Sequence, residues 1–422
     1  MRARSLDPTS DRGGAAPGNL GTEVRCRVRQ LANLWQEGGS QEIVDRLRRA
    51  AALRLAPRLP VDVVRQADVL AADLSEKKIW GTVPICAAEP IVVNWVTTPP
   101  AIGSGGHTTM FRLIQYLEQH GYICRIYIYD VHGGHASFFP ALVKGLFPKF
   151  TGTVHDVTDG MADAHAIVAT SWQTAYPVYN DRSRGKRFYL VQDFEPWFYA
   201  ASAQALLAEN TYKMGFHAIT AGRFLAEKLH RDYDMAADAF EFGCDVDKYH
   251  LLDGVGRDGI VFYAKPDAPR RAFELGVMAL RIFAERHPHL KIHLYGSEVG
   301  RLPFPYVNHG VVSPQALNAL YNRCFAGLSL STTNVSLVPH EMLAAGCIPV
   351  VNDAEHNRIV LNNPFVRYAN PDPHSLAKAL DDLVNTDDFA SLASAASNSV
   401  SSMPWDLAGA SVERSMRQAL AR

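Results

Sequence analysis

The chain has 422 residues, 47% hydrophobic and 20% charged, with a formal net charge of −1. That balance is an ordinary globular one, and it excludes any overall pull toward nucleic acid or an anionic membrane. The six cysteines (26, 86, 124, 244, 324 and 347) show neither a C-x-x-C pair nor metal-ligand spacing, so they read as reduced thiols of a cytoplasmic protein.

Residues 1–20 are rich in Gly, Pro, Ser and Asp and predict disorder. Residues 21–85 read as a helical extension, "QEIVDRLRRAAALRLAPRL" being its clearest stretch, with arginines on the polar side. Two readings of these basic helices stand: a lead-in packed on the main body, or a peripheral contact with anionic lipid. No run approaches the roughly 20 apolar residues of a membrane span, and the first residues lack the apolar core of a secretory signal. The expected location is cytosolic, at most peripheral to the inner face of the membrane.

From Pro90, short β-rich runs alternate with helical patterns. The first series of strands is "PIVVNWV", "CRIYIY", "HAIVAT", "KRFYLVQ" and "FHAITAG"; the second is "GIVFYAK", "KIHLYGS", "AGLSLS" and "CIPVVND". Continuous apolar strands between helices predict parallel sheets covered on both faces. Two series predict two Rossmann-like domains, 86–242 and 243–400, joined through the Gly/Asp-rich "EFGCDVDKYHLLDGVGRDG". Residues 401–422 predict a helix that returns to the first domain.

In open parallel sheets, ligands bind beyond the carboxyl ends of the strands. Five loops occupy that position: 103–109, 170–174, 192–197, 265–271 and 331–341. The first, "GSGGHTT", is neither G-x-G-x-x-G nor a P-loop, yet Gly105 and Gly106 permit close backbone approach to a phosphate. His107 and Thr108 follow, with His107 either a loop hydrogen-bonder or a ligand contact. In "KPDAPRR", Lys265, Arg270 and Arg271 suit a diphosphate or, equally, a solvated face. In "SLVPHE", Ser336, Leu337 and Val338 lead into a helix start, where Glu341 either caps the helix or accepts a ribose hydroxyl. Asp193 and Glu195 sit among the aromatics of "QDFEPWF", where apolar neighbours raise a carboxylate's pKa toward acid/base work, although structural hydrogen bonding explains either acid as well. Asp245 and Asp247 form a D-x-D in the linker, a poor place for a metal. "DVHGGH" reads as a turn.

These residues resemble those of retaining GT-B glycosyltransferases of family 4. The likeness rests on "GGHTTMFRLIQYLEQHGYICRIYI", "CDVDKY" and "SLVPHEMLAAGCIPVV". More specifically, "VATSWQTAYP", "YLVQDFEPWFYAASAQALLAENTYK" and "YAKPDAPRRAFELGVMALRIF" are similar to WsaF-type rhamnosyltransferases of bacterial surface glycans. The resemblance implies a GT-B fold with an N-terminal acceptor domain and a C-terminal nucleotide-sugar domain. It implies Lys265 and Arg270 on the donor phosphates and Glu341 on the ribose, while Thr333 stands where the broader family often has a second Glu. His107, Thr108, Trp172 and Asp193 are then expected on the acceptor, and Asp193 and Glu195 beside the reacting sugar.

The expected reaction is transfer of a hexose, L-rhamnose from dTDP-rhamnose, to a hydroxyl of a glycan or lipid-linked oligosaccharide, with no metal and no cofactor besides the donor. The alternatives are a transferase for GDP-mannose or a UDP-hexose, an NAD-dependent oxidoreductase suggested by the first βα turn, and a non-catalytic glycan-binding domain.

Overall fold

A computed structural model describes residues 63–422, except 87, 102, 135 and 136, together with six helical residues between 28 and 51. The stretch expected to be disordered and most of the basic helical extension lie outside the described residues. Chain contacts separate 1–62 from 63–422, and the second unit carries both sheets.

Its first element is helix α1 (Gln66–Ala71), which packs on α4 (Trp172–Asn180). The described residues from 72 to 91 carry no helix or strand, and the segment is pinned where Lys78 Nζ and Trp80 Nε1 donate to the Tyr179 carbonyl at 2.6 and 3.3 Å.

Seven strands come next: β1 (Val92–Thr97), β2 (Ile123–Ile128), β3 (Thr153–Asp156), β4 (Ala166–Ala169), β5 (Lys186–Val191), β6 (His217–Ala221) and β7 (Ala237–Phe240). They form one parallel sheet in the order β3-β2-β1-β4-β5-β6-β7. Between them lie α2 (Gly105–Gln119), α3 (Phe138–Leu146), α4, α5 (Ala203–Asn210) and α6 (Arg223–Tyr233). The central strands are buried along nearly their whole length because helices cover both faces, which is why they read as unbroken apolar runs.

A second parallel sheet has the order β10-β9-β8-β11-β12-β13. Its strands are β8 (Gly259–Tyr263), β9 (Lys291–Tyr295), β10 (Val307–Asn308), β11 (Cys324–Leu328), β12 (Ile348–Asn352) and β13 (Arg367–Ala369). The helices here are α7 (Phe273–Arg286), α8 (Pro314–Asn322), α9 (Val338–Ala344), α10 (Glu355–Leu361), α11 (Pro373–Val384) and α12 (Phe389–Asn398). The last helix, α13 (Trp405–Leu420), leaves this sheet and packs on α2, β6 and β7 of the first.

Both sheets reverse their winding once, between β1 and β4 and between β8 and β11. A crevice opens at each reversal because the flanking loops turn away to opposite faces. Buried contacts hold the two halves together. Asn334, fully buried, donates from Nδ2 to the carbonyls of Gln192 and Ala221 at 2.9 and 3.1 Å. Beside it, Val360 of α10 lies against Gly222, whose φ of +86° and crowded surroundings leave no room for a side chain.

Candidate functional site

The two crevices face each other in one cleft of about 670 Å³. Loops after β1, β4 and β5 form one wall, and loops after β8 and β11 form the other. Twelve of the sequence candidates line it: Gly105, Gly106, His107, Asp193, Glu195, Lys265, Arg270, Arg271, Ser336, Leu337, Val338 and Glu341. Thr108 and Trp172 do not. The Thr108 hydroxyl turns back to the Ser104 carbonyl at 3.0 Å, as helical threonines do. Trp172 is buried, and its indole N–H donates to the Tyr199 hydroxyl at 3.1 Å.

The second sheet supplies the cations. Lys265, just past β8, donates to the Gly296 carbonyl at 2.7 Å. Arg271 donates to Ser331 Oγ at 3.0 Å, and burial pulls its pKa below the usual guanidinium value, with Asp193 opposing that shift. Arg270 lies over the Phe198 ring at 4.6 Å, with its Nε 3.7 Å from Asp193 Oδ2. That Nε is buried without a hydrogen-bond partner, as are Ser336 Oγ and Thr333 Oγ1. Unpaired buried polar groups are costly in a finished fold, and two of these, Arg270 Nε and Ser336 Oγ, belong to residues that line the cleft, so they mark a place prepared for a polar ligand. The arginine turn closes on Ala272, whose φ of +45° is unusual for a residue with a side chain.

The first sheet supplies carboxylates. Asp193 Oδ1 accepts from the Phe194 N–H at 2.9 Å. Burial raises its pKa, opposed by Arg271, Thr333 and Arg270. Glu195 accepts from the Tyr189 hydroxyl at 2.7 Å and from the Trp172 N–H at 2.5 Å, and burial pushes it up to about 7. Trp172 is therefore a support for Glu195, tied to it through the backbone rather than through its ring.

The glycine loop opens α2. Ser104 caps the helix, its Oγ accepting from the His107 N–H. The His107 ring places Nδ1 2.8 Å from Ser104 Oγ and Nε2 3.3 Å from the Thr98 carbonyl. A carbonyl can only accept, so Nε2 carries the proton and Nδ1 receives the serine hydroxyl; burial lowers the pKa and keeps the ring neutral. Gly105 and Gly106 form the first helical residues, and a methyl at Gly105 would meet nothing within 4 Å.

Glu341 lies at the far end, in the first turn of α9, where burial pushes it up to about 7 with Arg112 drawing it the other way. Around it the cleft is aromatic: Phe242, Tyr249, Tyr263 and Tyr295 line it. Tyr295 and Tyr321 share a hydrogen bond of 2.6 Å. Sequence reasoning missed these rings. Tyr263 and Tyr295 end β8 and β9, the position from which a strand addresses a crevice, and that was the available signal. Asp245, set aside as a metal ligand, pairs with Arg112 of α2 and with Lys248 at 3.1 Å.

Two facing parallel sheets with a cleft between their carboxyl ends make up the GT-B fold. Within this fold, residues 155–221 match the WsaF N-terminal domain and residues 258–381 the WsaF C-terminal domain. A curated relative, the O-antigen biosynthesis protein RfbC of Myxococcus xanthus, is 31% identical over 339 residues, covering 75% of this chain and 26% of RfbC. The chain thus spans about a quarter of that relative's length.

Solved structures repeat the fold at low identity. A variant of S. aureus TarM in complex with fondaparinux, alpha-GlcNAc-glycerol and UDP has a TM-score of 0.62 at 8% identity, covering 79% of this chain and all of that one (100%). Anabaena HepE in complex with UDP and glucose gives 0.58 at 13%, covering 78% and 99%.

Proposed function

We propose that the protein is a glycosyltransferase that moves a hexose, L-rhamnose from dTDP-rhamnose, onto a sugar hydroxyl of a bacterial surface glycan with retention of configuration. The observation that carries this reading is the set of three cations, Lys265, Arg270 and Arg271, lining one wall of a cleft whose other wall holds buried carboxylates. The WsaF domains and the O-antigen relative support the substrate class.

In this reading the bond from the sugar's anomeric carbon to the diphosphate breaks, and a new bond forms from that carbon to the acceptor oxygen. The acceptor's proton passes to the departing phosphate. Charge grows on the diphosphate as the sugar gains oxocarbenium character, and preorganised cations meet that charge. Glu341 takes the ribose hydroxyls at the aromatic end. Asp193 and Glu195 orient the acceptor or steady the positive sugar. The leaving charge is assigned to side-chain cations rather than to a metal.

The test is a panel of dTDP-rhamnose, GDP-mannose, UDP-glucose and NAD, read by thermal shift and by NMR of the products. Transfer from dTDP-rhamnose with retention is the expected result. Turnover confined to another donor overturns the sugar assignment, and a response to NAD alone overturns the class. Calorimetry of Glu341→Ala should show weaker dTDP binding; unchanged affinity would return Glu341 to helix capping.

A further inference from the structure

The 3-10 turn Glu195–Phe198 has an inner and an outer side. Glu195 and Phe198 line the cleft, while Trp197 between them stands at the surface, 44% exposed.

The neighbours of Trp197 hold its ring without covering it. The Phe194 ring meets it edge-on at 4.7 Å, the Phe224 ring of α6 lies 6.4 Å away, and Lys228 Nζ stands 5.0 Å from its centre. Lys228 is itself fixed by Asp232 at 2.7 Å. The turn is fastened from below as well: the Glu195 N–H donates to the Tyr212 hydroxyl at 3.2 Å, and the Tyr199 hydroxyl accepts from the Trp172 indole. A large ring fixed in this way loses little entropy when a ligand lands on it.

The surface that continues from the ring is neutral. From Pro196 to Ala208 there is no charged residue, and Ala200, Ala201, Ser202, Ala203 and Leu206 are exposed. The cations of α6 are all engaged, Lys228 and Arg231 with Asp232 and Arg223 with Glu241, so that helix has no spare charge to offer a phosphate. A flat ring in such surroundings fits a neutral molecule with an apolar face and polar edges. The C–H face of a pyranose is one, its hydrogens drawn to the negative face of the indole while its hydroxyls stay in water.

Position says which sugar. Two residues of a 3-10 turn rise about 4 Å, close to the span of one sugar ring, and that is the step from Trp197 back to Glu195 in the cleft.

We propose that Trp197 is a stacking platform for the acceptor glycan and holds the sugar next to the one that reacts. The assignment rests on the transfer reading; carbohydrate binding at the ring is measured without it.

The experiment is saturation-transfer NMR of the full chain with rhamno-, manno- and gluco-oligosaccharides of one to four units, set beside acceptor KM in the transfer assay. In one of the three series, affinity should rise about tenfold from one unit to two or three. Trp197→Ala should remove that step, and Trp197→Tyr should keep most of it. Trp197→Leu, which retains apolar bulk without an aromatic face, should fold and still lose it. In the transfer assay the change should fall on acceptor KM rather than on kcat. Absence of binding in all three series, or binding that depends neither on length nor on Trp197, overturns the proposal. A length step that survives Trp197→Leu overturns the aromatic platform. A dimer dispersed by Trp197→Ala without any oligosaccharide binding also overturns it, in favour of a second copy. Binding that depends on Trp197 in a chain that transfers no sugar would strike the functional reading and leave a glycan site at this ring standing.

Discussion

The two sheets are wound alike and bring opposite chemistry to the cleft. From the second come Lys265, Arg270 and Arg271; from the first come Asp193 and Glu195, both buried and raised in pKa. The two walls already touch through Arg270 and Asp193, at 3.7 Å. One wall is therefore suited to the leaving anion and the other to the sugar that becomes positive, and the division can be tested wall by wall.

The largest effect should come from the cationic wall. Lys265→Ala or Arg270→Ala should lower kcat by about 10² to 10³, as losing one preorganised charge contact does. Near-normal turnover in both would break the comparison. Asp193→Asn should lower kcat by roughly 10² while dTDP affinity rises, because Arg270 loses a competing partner. A fall in dTDP affinity would place Asp193 on the nucleotide side instead.

Asn334→Ala probes the join rather than the chemistry. It strips two buried carbonyls of their donor, so unfolding free energy should drop by about 1–3 kcal/mol, measured by urea titration. No change would mean the halves hold together without it.

A smaller effect concerns pH. Glu195 and Glu341 sit near 7 instead of 4.5, so both bind protons more tightly folded than unfolded. Their contribution is complete below the unfolded value and is lost as pH rises through about 7. The protein without donor should lose stability between about pH 5 and pH 8, on the order of 1 kcal/mol per group, and Glu195→Gln or Glu341→Gln should flatten the slope. A melting temperature that climbs over that range would contradict the burial of both acids. The smallest effect is Gly105→Ala: the space is open, so stability should move by no more than about 0.5 kcal/mol. A severalfold rise in donor KM at unchanged stability would show that the donor reaches the loop.

The nine strands legible in the sequence are the interior strands of both sheets. The four that were not, β3, β7, β10 and β13, are the four edges. An edge strand is covered on fewer sides, so its residues need not be apolar: "TVHD" and "ADAF" are mostly half-buried or exposed, and β10 is a mere two residues. The cleft loops were legible for a different reason, since strand ends predict where a crevice opens. Asn334, Arg112 and the tyrosines were not, because each acts on a partner more than 20 residues away that only the fold brings near. Trp172 shows the converse: its segment was legible, but its ring turned into the core.

Passage between the halves happens twice. Residues 241–258 lead out and 401–404 lead back, side by side: the Cys244 N–H donates to the Met403 carbonyl at 2.7 Å, and Gly243 lies flat against Trp405, where a methyl would come within 2.7–2.8 Å. In topology the half built on the second sheet is an insertion in the half built on the first. A chimera that exchanges the second-sheet half between relatives therefore needs two junctions, near 243 and 404. A single crossover would leave a foreign α13 to meet Tyr116, where this chain has Gly409 and no room for even one methyl.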